Sequence, residues 1–589
     1  MLVKRNTEEK SRLEMPSRWQ FLILLPFALL YSLFIVLGDW EKAEAGSGLQ
    51  NGGRILLWMF LSYAALLFLC FIISQKEAIL GRIPLLPRIP ACRERAGKWY
   101  VYLIFFLLCL AGCLPYFLMY YPTWLSNDAV WQIEQALGWA PASNHHPWFH
   151  TMIIKFFFMA GYRIFGTYTE AMAFYTFWQI IIMSSVYAFF LYQLYKSGTR
   201  LLWLIAAAAF YAFLPINGLM SICMTKDEFF TAALLVFAWQ GAKLAGQKED
   251  VSGSDIRYGK EGRRVFRDKV CRLAGYFVSG LLVCLLRSNG VYVFLGTVFF
   301  LLLSKWMQGT AAKKEHSLRA AGRREFLAVF TCTAAVLLCY GVYHGPILKA
   351  MDVEPPDTIE ALTMPTQHIL CAYVKGGELT QEEAAMIGQV VPADQAASYY
   401  NPYLFDIFKA FVREAGNQEI IAEQKWDYFK LWLQVGLRNP LRYLEAEVKQ
   451  TAGYWALDTA DYQYVVGEYY MVDNPFAVTT QRKLFTYQAE VGMYQFLMRF
   501  QDLYNKVWSL GLNTWIFFFC FACAAYRKKN VMIFVPFVML LVTLLLAVPV
   551  YNVLRYVYAL FMALPFLLGY SIRTDTVRND ETGTGGYAG

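Results

Sequence analysis

The chain has 589 residues, 57% of them hydrophobic and 17% aromatic, with only 16% charged and a mean hydropathy of +0.35. Soluble domains carry about 25% charged residues, so this balance excludes an ordinary soluble globular protein. The net charge of +9 does not mark a nucleic-acid partner either, because the lysines and arginines gather in alternate short loops, as the positive-inside rule expects of cytoplasmic segments.

Taken in chain order, apolar runs that can cross a hydrocarbon core of roughly 30 Å are predicted at 19–38, 54–74, 99–121, 172–195, 201–220, 228–245, 273–287, 290–304, 325–344, 506–526, 531–548 and 551–571. The first run is too long for a signal-peptide core and lacks a small-x-small cleavage site, so it reads as an anchor. With the basic N-terminus inside, the clusters Lys76–Lys98, Lys196 and Arg200, Arg257–Arg272, Lys305–Arg324, Arg527–Lys529 and Arg573 all fall on one side. About twelve helices with both termini inside follow from this. The opposite face receives the loop 122–171, tight turns near Thr225, Arg287 and Asn552, and the long segment 345–505.

The expected organisation is therefore an all-α polytopic membrane protein in five parts. Residues 1–98 are N-terminal membrane helices and a basic cytoplasmic loop; 99–344 form a membrane core that includes the first large outer loop. Residues 345–505 form a mostly helical extracytoplasmic domain, 506–573 the C-terminal membrane helices, and 574–589 a disordered tail. The 12 cysteines lie mostly inside apolar runs, among them Cys70, Cys109, Cys284, Cys332, Cys339 and Cys520, without paired spacing. They read as small buried hydrophobes, neither a disulfide framework nor a metal site. Met152–Ile164 reads as an interfacial helix, with Lys155 and Arg163 able to reach headgroups.

Four stretches carry residues that lipid packing does not call for. In "SNDAVWQIEQAL" a helix from Ser126 would set Asp128, Gln132 and Gln135 on one face. Asp128 is there either a helix-capping acid or a functional carboxylate, and Ser126 or Asn127 could already supply the cap. "NHHPWFH" offers His145, His146 and His150. His146 and His150 have the i, i+4 spacing of a zinc pair, but the usual glutamate partner and a clear third ligand are missing. Site lining or structural hydrogen bonding are the competing roles.

In "MTKDEFF", Thr225 and Glu228 fit a capping box. Lys226 opposes the helix dipole and suits an anionic ligand instead. "LLRSNG" and "VLRY" place Arg287, with Asn289 beside it, and Arg555 at the outer ends of apolar runs. A single such arginine is usually a snorkelling anchor, whereas two together with Lys226 suggest a phosphate-binding constellation.

An acid able to take a proton and cations able to hold a phosphate suit transfer of a sugar from a lipid-linked phosphate. The carboxylate would act as general base and the cations would stabilise the departing phosphate, which leaves as a stable anion without need of a general acid. Gln367, in "TMPTQHI", is a further candidate for sugar or headgroup contact.

The stretches "SNDAVWQIEQAL…NHHPWFHTMIIKFFFMAGYRIFG" and "FLPINGLMSICMTKDEFFTAALL" resemble the GT-C superfamily of polytopic glycosyltransferases, which use polyprenyl-phosphate sugars. "SND", "HHP", "KD", "LLRSNG" and "LRY" together look like a bacterial group of GT-C-like membrane proteins. The resemblance covers roughly 98–305 and, further on, only architecture. It implies a GT-C-like fold, Asp128 as base and Asp227 as a metal-associated or positioning acid. "HPW" stands where "HPP" is commoner, and the second acid follows a lysine.

The expected protein is thus a cell-membrane glycosyltransferase, its active site facing the extracytoplasmic side. The donor would be a polyprenyl-phosphate sugar and the acceptor a cell-envelope glycan, lipid or protein. Asp128 is the expected base; Lys226, Asp227, Arg287, Asn289, Arg555, His145, His146 and Gln367 are expected to bind substrate. A divalent cation, Mg or Mn, is the one cofactor left open, with Asp128, Asp227, His146 and His150 as its weak ligand set; membrane lipids and no nucleic acid complete the partners. The competing readings are a lipid or polysaccharide transporter or flippase, which would show interrupted helices and repeated halves, and a surface-glycan polymerase or ligase.

Overall fold

The computed structural model describes residues 16–80, 98–246, 260–311, 316–457, 471–500, 503, 506 and 509–573. The expected tail 574–589 lies outside the described residues, as do the basic residues between 81 and 97, 247 and 259, and 312 and 315.

The described chain is helical, with four isolated bridges in place of strands. In chain order, α1 (Arg18–Gly38), α2 (Gly48–Gln75) and α3 (Trp99–Met119) are long and apolar. The shorter α4 (Asn127–Leu137) and α5 (Trp148–Phe165) follow, then the long α6 (Tyr168–Lys196). α7 (Leu201–Phe213) and α8 (Pro215–Ile222) are two halves bent by 41°, where Pro215 can start a helix but not continue one. α9 (Lys226–Ala245), α10 (Phe266–Leu286), α11 (Gly290–Gln308) and α12 (Gly322–Ala350) complete the first bundle.

An inserted domain contains α13 (Thr363–Val374), α14 (Lys425–Arg438) and α15 (Pro440–Thr451). α16 (Leu510–Tyr526), α17 (Val535–Ala547) and α18 (Leu554–Ile572) close the bundle. Most of α18 is buried, so it acts as a central post for α6, α9 and α16.

The chain is therefore an all-α polytopic membrane protein, but twelve crossings are more than the helix lengths support. Among the described residues eight helices are long and apolar enough to span, or nine if α7 and α8 count as one. The three other predicted runs do form helices. α9 carries Lys226, Asp227, Glu228 and Lys243 and buries most of its surface among its neighbours, while α16 and α17 are only 17 and 13 residues long.

The inserted domain has its own apolar core, with Ile359, Leu370, Val391, Phe405 and Val435 at its centre. Backbone pairing ties it to the bundle at two places. Asn144 N donates to the Glu354 carbonyl at 2.8 Å and Glu354 N to the Ala142 carbonyl at 2.9 Å, while Tyr551 N donates to the Tyr403 carbonyl at 2.9 Å. The loops before α5 and α18 are thus both clamped by the same domain, which fixes one end of the bundle as the end where the site forms.

Candidate functional site

Two helix starts are brought side by side by a short parallel backbone pairing. Trp124 N donates to the Ile222 carbonyl at 2.9 Å and Met224 N to the Trp124 carbonyl at 3.2 Å, beyond which α4 and α9 begin. Ser126 caps α4, its side chain accepting from Ala129 N, and Gly138 closes the helix in the left-handed conformation. Asp128 is therefore free of the capping role, and its carboxylate turns to Arg555 at the start of α18, with Arg555 Nη1 at 2.9 Å from Asp128 Oδ2.

His146 joins from the loop before α5. Its Nε2 lies 3.9 Å from Asp128 Oδ1, and its Nδ1 is 3.1 Å from Lys226 Nζ. A lysine ammonium can only donate, so Nδ1 is the bare nitrogen and the imidazole proton sits on Nε2, toward Asp128. Burial first, then Lys226, holds the His146 pKa well below the usual histidine range, so the ring is neutral near pH 7. Burial alone would raise the Asp128 carboxyl, but Arg555, Lys226 and His146 outweigh it and hold Asp128 below the usual carboxylate range. At rest Asp128 is an ionised but weakly basic carboxylate.

A second pair sits beside the first, joined to it through chain neighbours. Arg287 Nη1 lies 3.4 Å from Asp227 Oδ1, with Asp227 almost fully buried. The Arg287 guanidinium stands 5.3 Å from the Phe230 ring and 5.1 Å from the Tyr556 ring, and Arg555 approaches the same Tyr556 ring at 5.3 Å. Beyond Arg287, neither carboxylate oxygen of Asp227 has a hydrogen-bond partner among the described residues. Buried carboxylates are ordinarily satisfied, so Asp227 holds polar capacity that packing does not use.

Other expected site residues go elsewhere. His145 lies against the His146 ring at 4.7 Å and faces Glu360 of the inserted domain at 3.7 Å, so it backs the cluster from outside. Asn289 donates to Thr543 Oγ1 at 2.9 Å and pins the α10–α11 turn to α17. Gln367 donates to the Asn401 carbonyl at 2.8 Å and to Gln450 Oε1 at 2.7 Å, holding α13 to α15.

Two details of the sequence reading are refined. Gln132, one turn on from Asp128, is buried, with Oε1 at 3.0 Å from His150 Nδ1 and Nε2 donating to Thr151 Oγ1 at 3.0 Å, and Gln135 is buried as well. The phase of α4 is set by its packing on α5, which draws the amides inward. The capping box at Thr225 is replaced by a direct bond from its hydroxyl to Glu228 Oε2 at 2.6 Å, because the buried carboxyl is the more demanding partner.

The proposed cation ligands do not form a metal site. His150 is fully buried, with Gln132 on one nitrogen and Tyr175 OH at 2.9 Å on the other, and no three His, Cys, Asp or Glu side chains gather as a metal site among the described residues. Asp128 and Asp227 each face an arginine, so the donor set does not fit Mg or Mn. Tyr556 and Glu360 are participants the sequence reading missed. The aromatic next to Arg555 was a usable signal for the first; nothing local marks the second.

The fold and this half-buried ionic cluster define a polytopic, all-α membrane protein with a polar site at one end of its helical bundle. A family model matches residues 138–583, more than half of the chain, and the protein belongs to that family, DUF6020, a family of unknown function. No curated protein and no solved structure matches the chain.

Proposed function

We propose that the protein is a GT-C-like membrane glycosyltransferase that moves a sugar from a polyprenyl-phosphate donor to a cell-envelope acceptor. In this reading the end bearing the inserted domain faces the extracytoplasmic side of the cell membrane. One observation carries the reading: Asp128, His146, Lys226, Asp227, Arg287 and Arg555, from widely separated segments, meet in one half-buried cluster of cations around acids. Scattered snorkelling anchors would have no reason to converge.

In the proposed reaction the donor phosphate takes Arg555 and Lys226 as its counterions. Losing Arg555 raises the basicity of Asp128, so the base is released only when donor is present. The acceptor oxygen then bonds to the anomeric carbon as the bond from that carbon to the phosphate oxygen breaks. The electron pair leaves with the lipid phosphate, held by Arg555 and Lys226, and the hydroxyl proton passes to Asp128. His146, its Nε2 3.9 Å from Asp128 Oδ1, lines the site beside the base.

The bent pair α7–α8 favours a second reading, since interrupted helices are common in lipid transporters. A deletion strain separates the two. Loss of a glycosylated envelope polymer, restored by the wild type but not by Asp128→Asn at matched expression, is expected for the transferase. Full restoration by Asp128→Asn contradicts the base, and an unchanged glycan with altered lipid movement favours the transporter.

A further inference from the structure

The inserted domain carries a surface that the ionic cluster does not explain. Along α14, Trp426, Phe429, Leu433 and Leu437 recur three or four residues apart and so fall on one helical stripe, and beyond the break at Asn439 the exposed Leu441 and Leu444 of α15 add to the apolar surface. These side chains are exposed, Leu437 at 82%, Leu441 at 72% and Trp426 at 68%. The opposite face of α14, with Leu431 and Val435, packs into the domain core. A helix apolar on both faces is covered on both, and a contiguous exposed stripe marks an interaction surface.

The position of this stripe identifies what covers it. Arg442 of α15 donates to Glu44 Oε1 at 2.8 Å. Glu44 lies on the short helix Trp40–Ala45 that joins the ends of α1 and α2, and Gly38, at the end of α1, packs against Ala456 just beyond α15. α15 thus runs at the level where the spanning helices end, which places the stripe at the adjacent membrane leaflet.

Behind the stripe is a cavity of about 370 Å³ between α13 and α14. Leu362, Ile369, Leu370 and Phe408 line its interior, while Trp426 and Phe429 belong both to the cavity wall and to the stripe, so the cavity opens where the leaflet would lie. Among its lining residues only Lys425 is charged. One cation at the edge of an otherwise apolar cavity matches a phosphate joined to a hydrocarbon chain. The Thr358–Leu362 turn forms part of the wall, and Glu360 within it faces His145. The ionic cluster therefore lies across that turn from the cavity, and a lipid seated on Lys425 does not present its phosphate to Arg555.

We propose that the inserted domain is a lipid-binding element: its α14–α15 stripe inserts into the adjacent leaflet, and the cavity takes one acyl chain of an anionic phospholipid whose phosphate meets Lys425. This site is separate from the sugar-transfer reading and does not depend on it.

The test uses the full-length chain in nanodiscs containing phosphatidylglycerol with a photoreactive acyl chain, followed by peptide mapping. Labelling is expected on 362–370 and 425–432. Ile369→Trp, which fills the cavity, is expected to lower the label on 362–370 by more than about tenfold. Should that variant fail to fold, Lys425→Glu at the exposed edge serves instead, and is expected to reduce phosphatidylglycerol labelling about fivefold relative to phosphatidylcholine. Leu437→Glu with Leu441→Glu is expected to lower label on 425–444 without changing thermal stability. Unlabelled domain peptides would overturn the proposal, as would an unchanged lipid ratio in Lys425→Glu. Labelling of these peptides by a photoreactive polyprenyl phosphate but not by phosphatidylglycerol would overturn the occupant. Protection of the stripe only at concentrations where the chain dimerises would assign it to a second copy.

Discussion

At the scale of single residues, the proposed reaction rests on competition for counterions. Arg555 both fixes Asp128 and quenches its basicity, and Lys226 is held by a neutral imidazole, a weak partner that an incoming phosphate can replace. The histidines also give a pH signature. Burial holds His145, His146 and His150 below their ordinary range, His150 down to about 3. The unfolded chain takes up these protons near pH 6.5 while the folded chain does not, so stability is full above about pH 6.5 and falls as pH drops below it. Asp128, depressed as well, contributes above its unfolded value near pH 3.9 and leaves the window from pH 7 to about 5 to the imidazoles. The melting temperature is expected to hold steady from about pH 8 to 7 and to decline toward pH 5, less steeply in His150→Gln; a rise on acidification would contradict the buried neutral rings. Sequence alone singled out the ionisable residues that the fold brings together, because a charge at the end of an apolar run is conspicuous whatever its partner. It could not choose the partners: that Arg555 rather than Arg287 reaches Asp128 is set by a contact across 427 residues, and that His150 turns inward to Tyr175 is set by how α5 packs on α6.

At the scale of elements, the site depends on backbone approaches that only small residues allow. The α10–α11 turn positions Arg287, and Gly290 within it sits so close to the Val283 carbonyl that an added Cβ would collide with backbone. Gly290→Ala is expected to destabilise the fold by about 1–3 kcal/mol and to weaken donor binding by shifting Arg287, both read on the purified protein by thermal melting and ligand titration. A variant with unchanged stability and binding would show that the turn adapts. Each of the twelve predicted runs falls on helix because its hydropathy is strong, but among the described residues only eight, or nine with the bent pair, are long and apolar enough to span. Their lengths were not legible, since Pro215 breaks one predicted span into α7 and α8, and since α9 tolerates its charges only because neighbouring helices cover it. The role of Gln132 was likewise beyond local pattern, being decided by its bonds to His150 and Thr151 of α5.

At the scale of the whole molecule, the inserted domain is the part that sequence described least, because its helices are short and its core is built from contacts across 359–435. Its clamps on the loops before α5 and α18 make it a structural support for the site as well as a lipid-facing element. If the domain-bearing end faces outward, Lys430→Cys in a cysteine-free background is expected to react with an impermeant maleimide added to intact cells; reaction only after the membrane is opened would reverse the topology and the proposed side of reaction. The most direct measurement for the account as a whole is sugar transfer by purified protein in proteoliposomes, using a panel of radiolabelled polyprenyl-phosphate sugars, with wild type and Asp128→Asn compared for rate and for donor affinity. The account predicts release of polyprenyl phosphate by the wild type, and in Asp128→Asn a rate lower by about 100-fold or more with donor affinity kept or improved, since the carboxylate charge that competes with phosphate is then gone. A variant that transfers sugar at the wild-type rate would contradict the central role of Asp128.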